Sequence, residues 1–276
     1  MNRLFVAYKP PHVSSNRFLT RLRWKYGKVP HAGFSGTLDP FAQGCLIVAF
    51  GQYTKLFSYL PKTPKRYRAT LWLGAESDTL DIEGVTAIGD VSPVSEAAIV
   101  QAMEELSGEQ MQLPPKYSAL RIDGRRAYSL ARAGHEFDLQ KRPVTISEFK
   151  LIHYRHPLIT FECEVSEGTY VRSLGLDLAN KLGCTGSLSF LERLSEGRLF
   201  YENEKALDPL AFIDLPRNFY PGPAHDLYVG KRLVPSDLQI QTDGDYLVDT
   251  PGFFVILTIH DGVVKYKQGC VLKSAL

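Results

Sequence analysis

Gly33-Phe34-Ser35-Gly36-Thr37-Leu38-Asp39-Pro40-Phe41-Ala42-Gln43-Gly44-Cys45-Leu46 holds one carboxylate, Asp39, with three glycines around it and Pro40 directly after it. Glycine permits backbone angles that other residues avoid, and proline biases the residue before it toward an extended conformation. Such a loop is built to hold one side chain in a fixed place. An isolated Asp-Pro turn is most often a capping turn, but the charge context argues against that here. Residues 1–68 carry twelve Lys and Arg and a single acid, which is Asp39. A lone anion in so basic a region marks a functional carboxylate.

Working outward, the bulk properties are those of an ordinary globular protein. The chain has 276 residues, 44% hydrophobic and 22% charged, with a formal net charge of +2. That length allows one large domain, or a large one with a small one. The basic excess is therefore local, a binding face rather than a sticky surface. Cys45, Cys163, Cys184 and Cys270 are scattered, which argues against a disulfide framework or a cysteine metal site and fits a reducing cytoplasm. The first residues lack the apolar run of a signal peptide, and no stretch approaches the ~20 apolar residues of a membrane helix. Neither GxxxxGK[ST] nor GxGxxG occurs, so no nucleotide cofactor is expected. His153 and His156 lie in a strand-like region and read as surface histidines, so no metal is expected either. No Ser or Cys sits in a nucleophile elbow.

Periodicity gives the elements. Residues 4–8 read as a strand, and Ser14-Ser15 caps a helix whose stripe is Phe18, Leu19 and Leu22. Residues 46–50 read as a buried strand leaving the Asp39 loop, and 54–60 as a short helix. Tyr67, Ala69, Leu71 and Leu73 alternate with polar residues as in a strand. Residues 78–84 form an acidic loop, and Ser95 caps a helix that stops at Gly108. Residues 114–120 are extended, 121–142 are rich in Arg and Lys, and 127–133 are helical. Residues 144–154 and 159–165 read as paired strands. The helix of 169–182 follows, ended by Gly183, and 188–199 is extended again. Four prolines between 209 and 223 place a domain boundary near 214–223. Beyond it, short apolar runs at 227–229, 246–248, 253–259 and 263–267, separated by Asp-Gly turns, read as a small β-rich unit.

Gly36-Thr37-Leu38-Asp39-Pro40, with Ala42 and Gly44, closely resembles the catalytic motif of the TruB family of tRNA pseudouridine synthases. Lys9-Pro10-Pro11 with Ser14-Ser15 is similar to the family's N-terminal motif, although His12 stands where a glycine is usual. Lys65-Arg66-Tyr67 followed by Asp78-Thr79-Leu80-Asp81-Ile82-Glu83-Gly84 resembles the second. Pro114-Pro115-Lys116-Tyr117-Ser118-Ala119-Leu120, then Gly168-Thr169-Tyr170-Val171-Arg172-Ser173-Leu174 and Leu191-Glu192-Arg193-Leu194, complete a series in the family's order. The resemblance covers about residues 5 to 200. It implies an α+β fold: a mixed, largely antiparallel sheet with flanking helices and loops. It also implies a catalytic domain over residues 1–215 and a small β-rich, PUA-like RNA-binding domain over 222–276.

The implied reaction converts a uridine in the TΨC arm of tRNA to pseudouridine. The N-glycosidic bond breaks, the base turns, and it is rejoined through carbon, with no cofactor. The target base must be flipped out at a cost of a few kcal/mol, which the basic segments offset by gripping phosphates. Asp39 is the implied catalytic residue. It acts at the anomeric carbon, attacks the uracil ring or removes a sugar proton, and the sequence leaves all three open. Arg172 is the implied partner that keeps Asp39 ionised. Tyr67 is expected to stack on the uracil and help remove its C5 proton, Leu191 to supply apolar wall, and Asp81 to contact the nucleotide or cap its own loop. Phe34 stands where bacterial members usually have His; it keeps the flat apolar face and loses the ring nitrogens. The expected partner is tRNA, the expected state a monomer. Two alternatives are an RNA chaperone without chemistry and a guide-RNA-dependent synthase. Asp39, Tyr67 and Arg172 together speak against the first, and the short tail after Gly252 against the second.

Overall fold

The computed structural model describes residues 1–118, 120–122 and 124–274. The extended stretch 114–120 and the basic stretch 121–142 thus each contain one residue outside the described set, and residues 275–276 also lie outside it. Leu4-Phe5-Val6-Ala7 has no polar alternation, the pattern of a strand covered on both faces. It forms β1 (Arg3–Lys9), which pairs antiparallel with β3 (Gln43–Phe50), the strand leaving the Asp39 loop. A nine-stranded sheet grows from this pair. In spatial order it holds β1, β3, β8 (Gly186–Glu196), β4 (Lys65–Leu73), β7 (Leu158–Val165), β6 (Arg142–Arg155) and β5 (Gly108–Gln112). β2 (Ala32–Ser35) pairs with β3, and β9 (Leu199–Phe200) with β8. Only β8 and β3 run parallel within it. The fold is α+β with a mixed, largely antiparallel sheet.

Three helices cover this sheet. α1 (Ser15–Lys25) is capped by the Ser14 hydroxyl, which accepts from the Arg17 N–H, and buries Phe18 and Leu22. They pack with Phe5, Ala7, Leu46, Val48 and Phe50. α2 (Glu96–Glu105) is capped by Ser95 in the same way. α3 (Val171–Lys181) buries Val171, Leu174, Leu178 and Ala179. α3 packs on the inner face of β4, where Tyr67, Ala69, Leu71 and Leu73 alternate inward, and α2 packs against β6 and α3 in the same core.

A second sheet holds β10 (Arg217–Asn218), β11 (Gly244–Asp249), β12 (Phe253–His260) and β13 (Val263–Leu272). One of its faces carries its own core. From the other, Leu247, Phe254, Ile256 and Val271 join Leu4, Val6, Ile47 and Ala49 in a shared core. The two sheets are thus fused face to face. No helix among the described residues is long and apolar enough to cross a membrane.

Local readings differ at four places. Residues 227–229 are not a strand but end α4 (Ala224–Tyr228), which buries Leu227 under the second sheet. The helical turn expected over 54–60 is a 3-10 turn at Gly51–Leu56. α3 begins at Val171 rather than at 169: Tyr170 is its N-cap, with its carbonyl accepting the Leu174 N–H and its own N–H bonded to Gln112. β2 lies inside the stretch read as loop.

Candidate active site

The loop between β2 and β3 is pinned from several sides. The Ser15 hydroxyl accepts from the Leu38 N–H and donates to the Leu38 carbonyl, both at 3.0 Å. Lys9, fully buried, donates to the carbonyls of Pro10, Val13 and Pro40. Burial pushes its pKa down to about 8, against the pull of Asp39 and Glu83. Leu38, Phe41 and Ala42 sink into the core with Tyr67 and Leu191. With the residues on either side anchored, Asp39 has one direction left, into a cleft of about 390 Å3. That volume lies within the ~300–1,000 Å3 of small-ligand sites.

Arg172 closes the floor of the cleft. Its side chain is 3% exposed, and its Nε lies 2.8 Å from Asp39 Oδ2. Nη1 lies 3.4 Å from Asp81 Oδ2 and donates to the Thr79 carbonyl, while Nη2 donates to the Tyr117 carbonyl at 2.9 Å. A cation in the first turn of a helix opposes the helix dipole. Two carboxylates and two carbonyls offset that cost here. The guanidinium can hold them all because it offers five donors in a plane and keeps its charge.

Asp81 is buried, and its oxygens are engaged by protein: Oδ1 accepts from Thr79 Oγ1 and the Glu83 N–H, and Oδ2 faces Arg172. The acidic loop is capped and tied to Arg172 by one side chain. About a third of the Asp39 side chain stays open to the cleft. Burial pushes its pKa above the ordinary carboxylate value; Arg172 pulls it down, Asp81 raises it, and Lys9 lowers it again. Glu83 on the rim is raised by burial and by Asp81 and Asp39.

The cleft wall brings in Phe34 from β2, with Tyr117, Arg126, Tyr128 and Arg132. Asp39, Asp81, Arg172 and Phe34 therefore meet in one place. Tyr67 and Leu191 do not line the cleft; they lie in the core cluster that also takes Leu38 and Phe41. Burial pushes the Tyr67 hydroxyl up, with the Arg193 charge opposing, so it stays protonated in this state. Sequence reasoning missed Lys9 and Ser15 as loop anchors. A Lys ending an apolar strand before Pro-Pro was the one local signal.

A second hollow of about 400 Å3 lies where the two sheets meet. Within it Asp249 pairs with Arg217 at 3.2 Å and with Lys273 at 2.6 Å, and Asp208 accepts from the Leu210 N–H.

A model of the family described as TruB family pseudouridylate synthase (N terminal domain) matches residues 23–171. The chain is 53% identical over 270 residues to a tRNA pseudouridine synthase B of Sulfurimonas denitrificans, covering 98% of both chains. It is 50% identical over 266 residues to a tRNA pseudouridine synthase B of a Nitratiruptor species, covering 96% of both. Among solved structures, a Cbf5-Nop10-Gar1 complex contains a chain that superposes with a TM-score of 0.65 at 19% identity, over 99% of this chain and 84% of that one. At that identity the likeness concerns the fold alone.

Proposed function

Because this chain belongs to the TruB family of pseudouridylate synthases, we propose that it isomerises a uridine of tRNA to pseudouridine, and that the uridine lies in the TΨC arm. The observation that carries the reading is the ionic contact between Arg172 and an Asp39 left open to a cleft. Every route available to Asp39 needs it ionised, whether it stabilises or traps the anomeric carbon, adds to the ring, or takes a sugar proton. Arg172 supplies the opposing charge while burial excludes water. Asp81, through its own contact, keeps Arg172 from turning away.

The reaction balances without a cofactor. The N1–C1′ bond breaks, C5 bonds to C1′, the C5 proton leaves, and N1 gains a proton. Phe34 offers a flat face for the extruded nucleoside, and Arg126 and Arg132 on the rim meet its phosphates. Tyr67 and Leu191 lie in the core cluster that also takes Leu38 and Phe41, the residues flanking the Asp39-Pro40 pair, and support the loop there. The second sheet is read as an RNA-binding unit over 222–276 beside a catalytic unit over 1–215. The enzyme is read as a cytoplasmic monomer, consistent with four free cysteines.

Unmodified tRNA transcript tritiated at C5 tests this. The pure protein should release tritium, and mapping should find one new pseudouridine in the TΨC arm. A transcript recovered unmodified would overturn the reading, and pseudouridine elsewhere would overturn the assignment to that arm.

A further inference from the structure

Arg193 and Glu196 carry charge into the interior of β8 without lining the cleft. Arg193 is 1% exposed and Glu196 0%. Residues three apart point to opposite faces of a regular strand, but a bulge between Arg193 and Ser195 shifts the register against β4. Both side chains therefore turn inward. The Arg193 Nε donates to the Cys45 carbonyl at 2.8 Å, and its Nη2 to the Gly36 carbonyl at 2.7 Å. Those carbonyls stand at the entry and exit of the Asp39 loop, so one planar group ties both ends together.

The same Nη2 lies 2.9 Å from Glu196 Oε1, and Lys65 Nζ lies 3.6 Å from Glu196 Oε2. Burial pushes the Glu196 carboxyl up, and Arg193 and Lys65 pull it down. No well-aligned hydrogen bond reaches either Glu196 oxygen among the described residues, so its contribution to Arg193 is charge. The loop rests directly on this pair. A Cβ on Gly36 would come within 2.8 Å of Glu196 Oε2, and one on Gly44 within 2.3 Å of the Arg193 carbonyl oxygen. Both glycines also have positive φ, 65° and 108°.

We propose that Arg193, oriented by Glu196, is a positioning residue for pseudouridine formation: by clamping Gly36 and Cys45 it sets where the Asp39 carboxylate stands in the cleft. This rests on Asp39 being the reacting carboxylate. Arg193 acts through the backbone, and its charge is also felt at the Tyr67 hydroxyl.

The test is a single-turnover assay with enzyme in excess over tritiated tRNA, run on the wild type, Arg193→Lys, Glu196→Gln and, as the zero, Asp39→Asn. A lysine reaches one of the two carbonyls but not both. Arg193→Lys should lower the rate constant about 10–100-fold, because misplacement by ~1 Å costs on the order of a hundredfold. Its tRNA affinity should stay within about threefold, since no phosphate contact is lost, and the reaction should still run to completion. Glu196→Gln should show the same pattern with a loss of about threefold to tenfold. A role in stability alone gives the reverse, a smaller amplitude or lower melting temperature with an unchanged rate constant, and overturns the proposal. If Arg193→Lys fails to fold, Glu196→Gln decides, and an unchanged rate constant there refutes it. A wild type that makes no pseudouridine removes the proposed function, and the positioning role goes with it.

Discussion

Arg172→Ala takes away the cation paired with both Asp39 and Asp81, and strips a donor from the Thr79 and Tyr117 carbonyls. Removing one partner of a buried ion pair costs about 3–5 kcal/mol, because the other charge stays behind. Asp39 is partly open to solvent, so the lower end applies to it. The two carbonyls add about 1 kcal/mol together, since water entering the cleft replaces much of what they lose. The sum is about 4 kcal/mol, which a domain stable by ~5–15 kcal/mol survives at room temperature. At about 2–4 °C per kcal/mol for a chain of this size, the melting temperature falls by roughly 10 °C.

The pH dependence shifts as well. Burial already holds the Asp39 pKa above its unfolded value, and Arg172 is the strongest influence pulling it down. Without Arg172 the pKa rises further, so the acid limb of the rate profile moves to higher pH. Thermal melts and tritium release across a pH series measure both effects. A variant that melts with the wild type and keeps its pH profile would refute the reasoning.

Asp39→Asn should abolish turnover while tRNA affinity stays within about tenfold, because one carboxylate contributes little to the phosphate grip; near-normal tritium release would contradict this. Its melting temperature should improve relative to the wild type as pH rises. A carboxyl whose folded pKa is raised contributes stability at low pH that is lost as pH climbs through that pKa, and the variant has no such loss. A difference between the two melts that stays constant with pH would count against that sign. Phe34→His should bind and modify tRNA at close to wild-type levels. Phe34→Ala should lose stacking worth about 1–3 kcal/mol, and a gel shift unchanged by Phe34→Ala would remove the stacking role. Phe254→Ala, in the core shared by the two sheets, should cost about 3–5 kcal/mol and lower a single cooperative melt; two separate transitions by calorimetry would show the sheets to be independent.

Much of the fold is legible in the sequence. Helix caps are local, so Ser14 and Ser95 announced α1 and α2. The strict alternation of Tyr67, Ala69, Leu71 and Leu73 announced β4 and its inward face. The meeting of Asp39 with Arg172 came through the family motifs, since nothing in their spacing dictates contact. Other features depend on what the chain packs against. Residues 227–229 are apolar and short, and such a run fits a strand or a helical turn equally until its neighbours are known. β2 is short, holds a glycine, and exists because β3 offers it an edge. Tyr67 was expected at the base, and its inward place on β4 puts it in the core cluster with Leu38 and Phe41 rather than among the cleft-lining residues. Arg193 and Glu196 lie in a stretch that reads only as extended, and a bulge, invisible to alternation, turns them both inward.

The core common to both sheets, with Leu4 and Val6 on one side and Phe254 and Ile256 on the other, has a mechanical consequence. A sheet on a flexible tether would let a bound RNA wander relative to Asp39. One welded to the next cannot. If the smaller sheet holds RNA as proposed, it measures that RNA off at a constant span from the Asp39 carboxylate, like stock held against the fence of a saw.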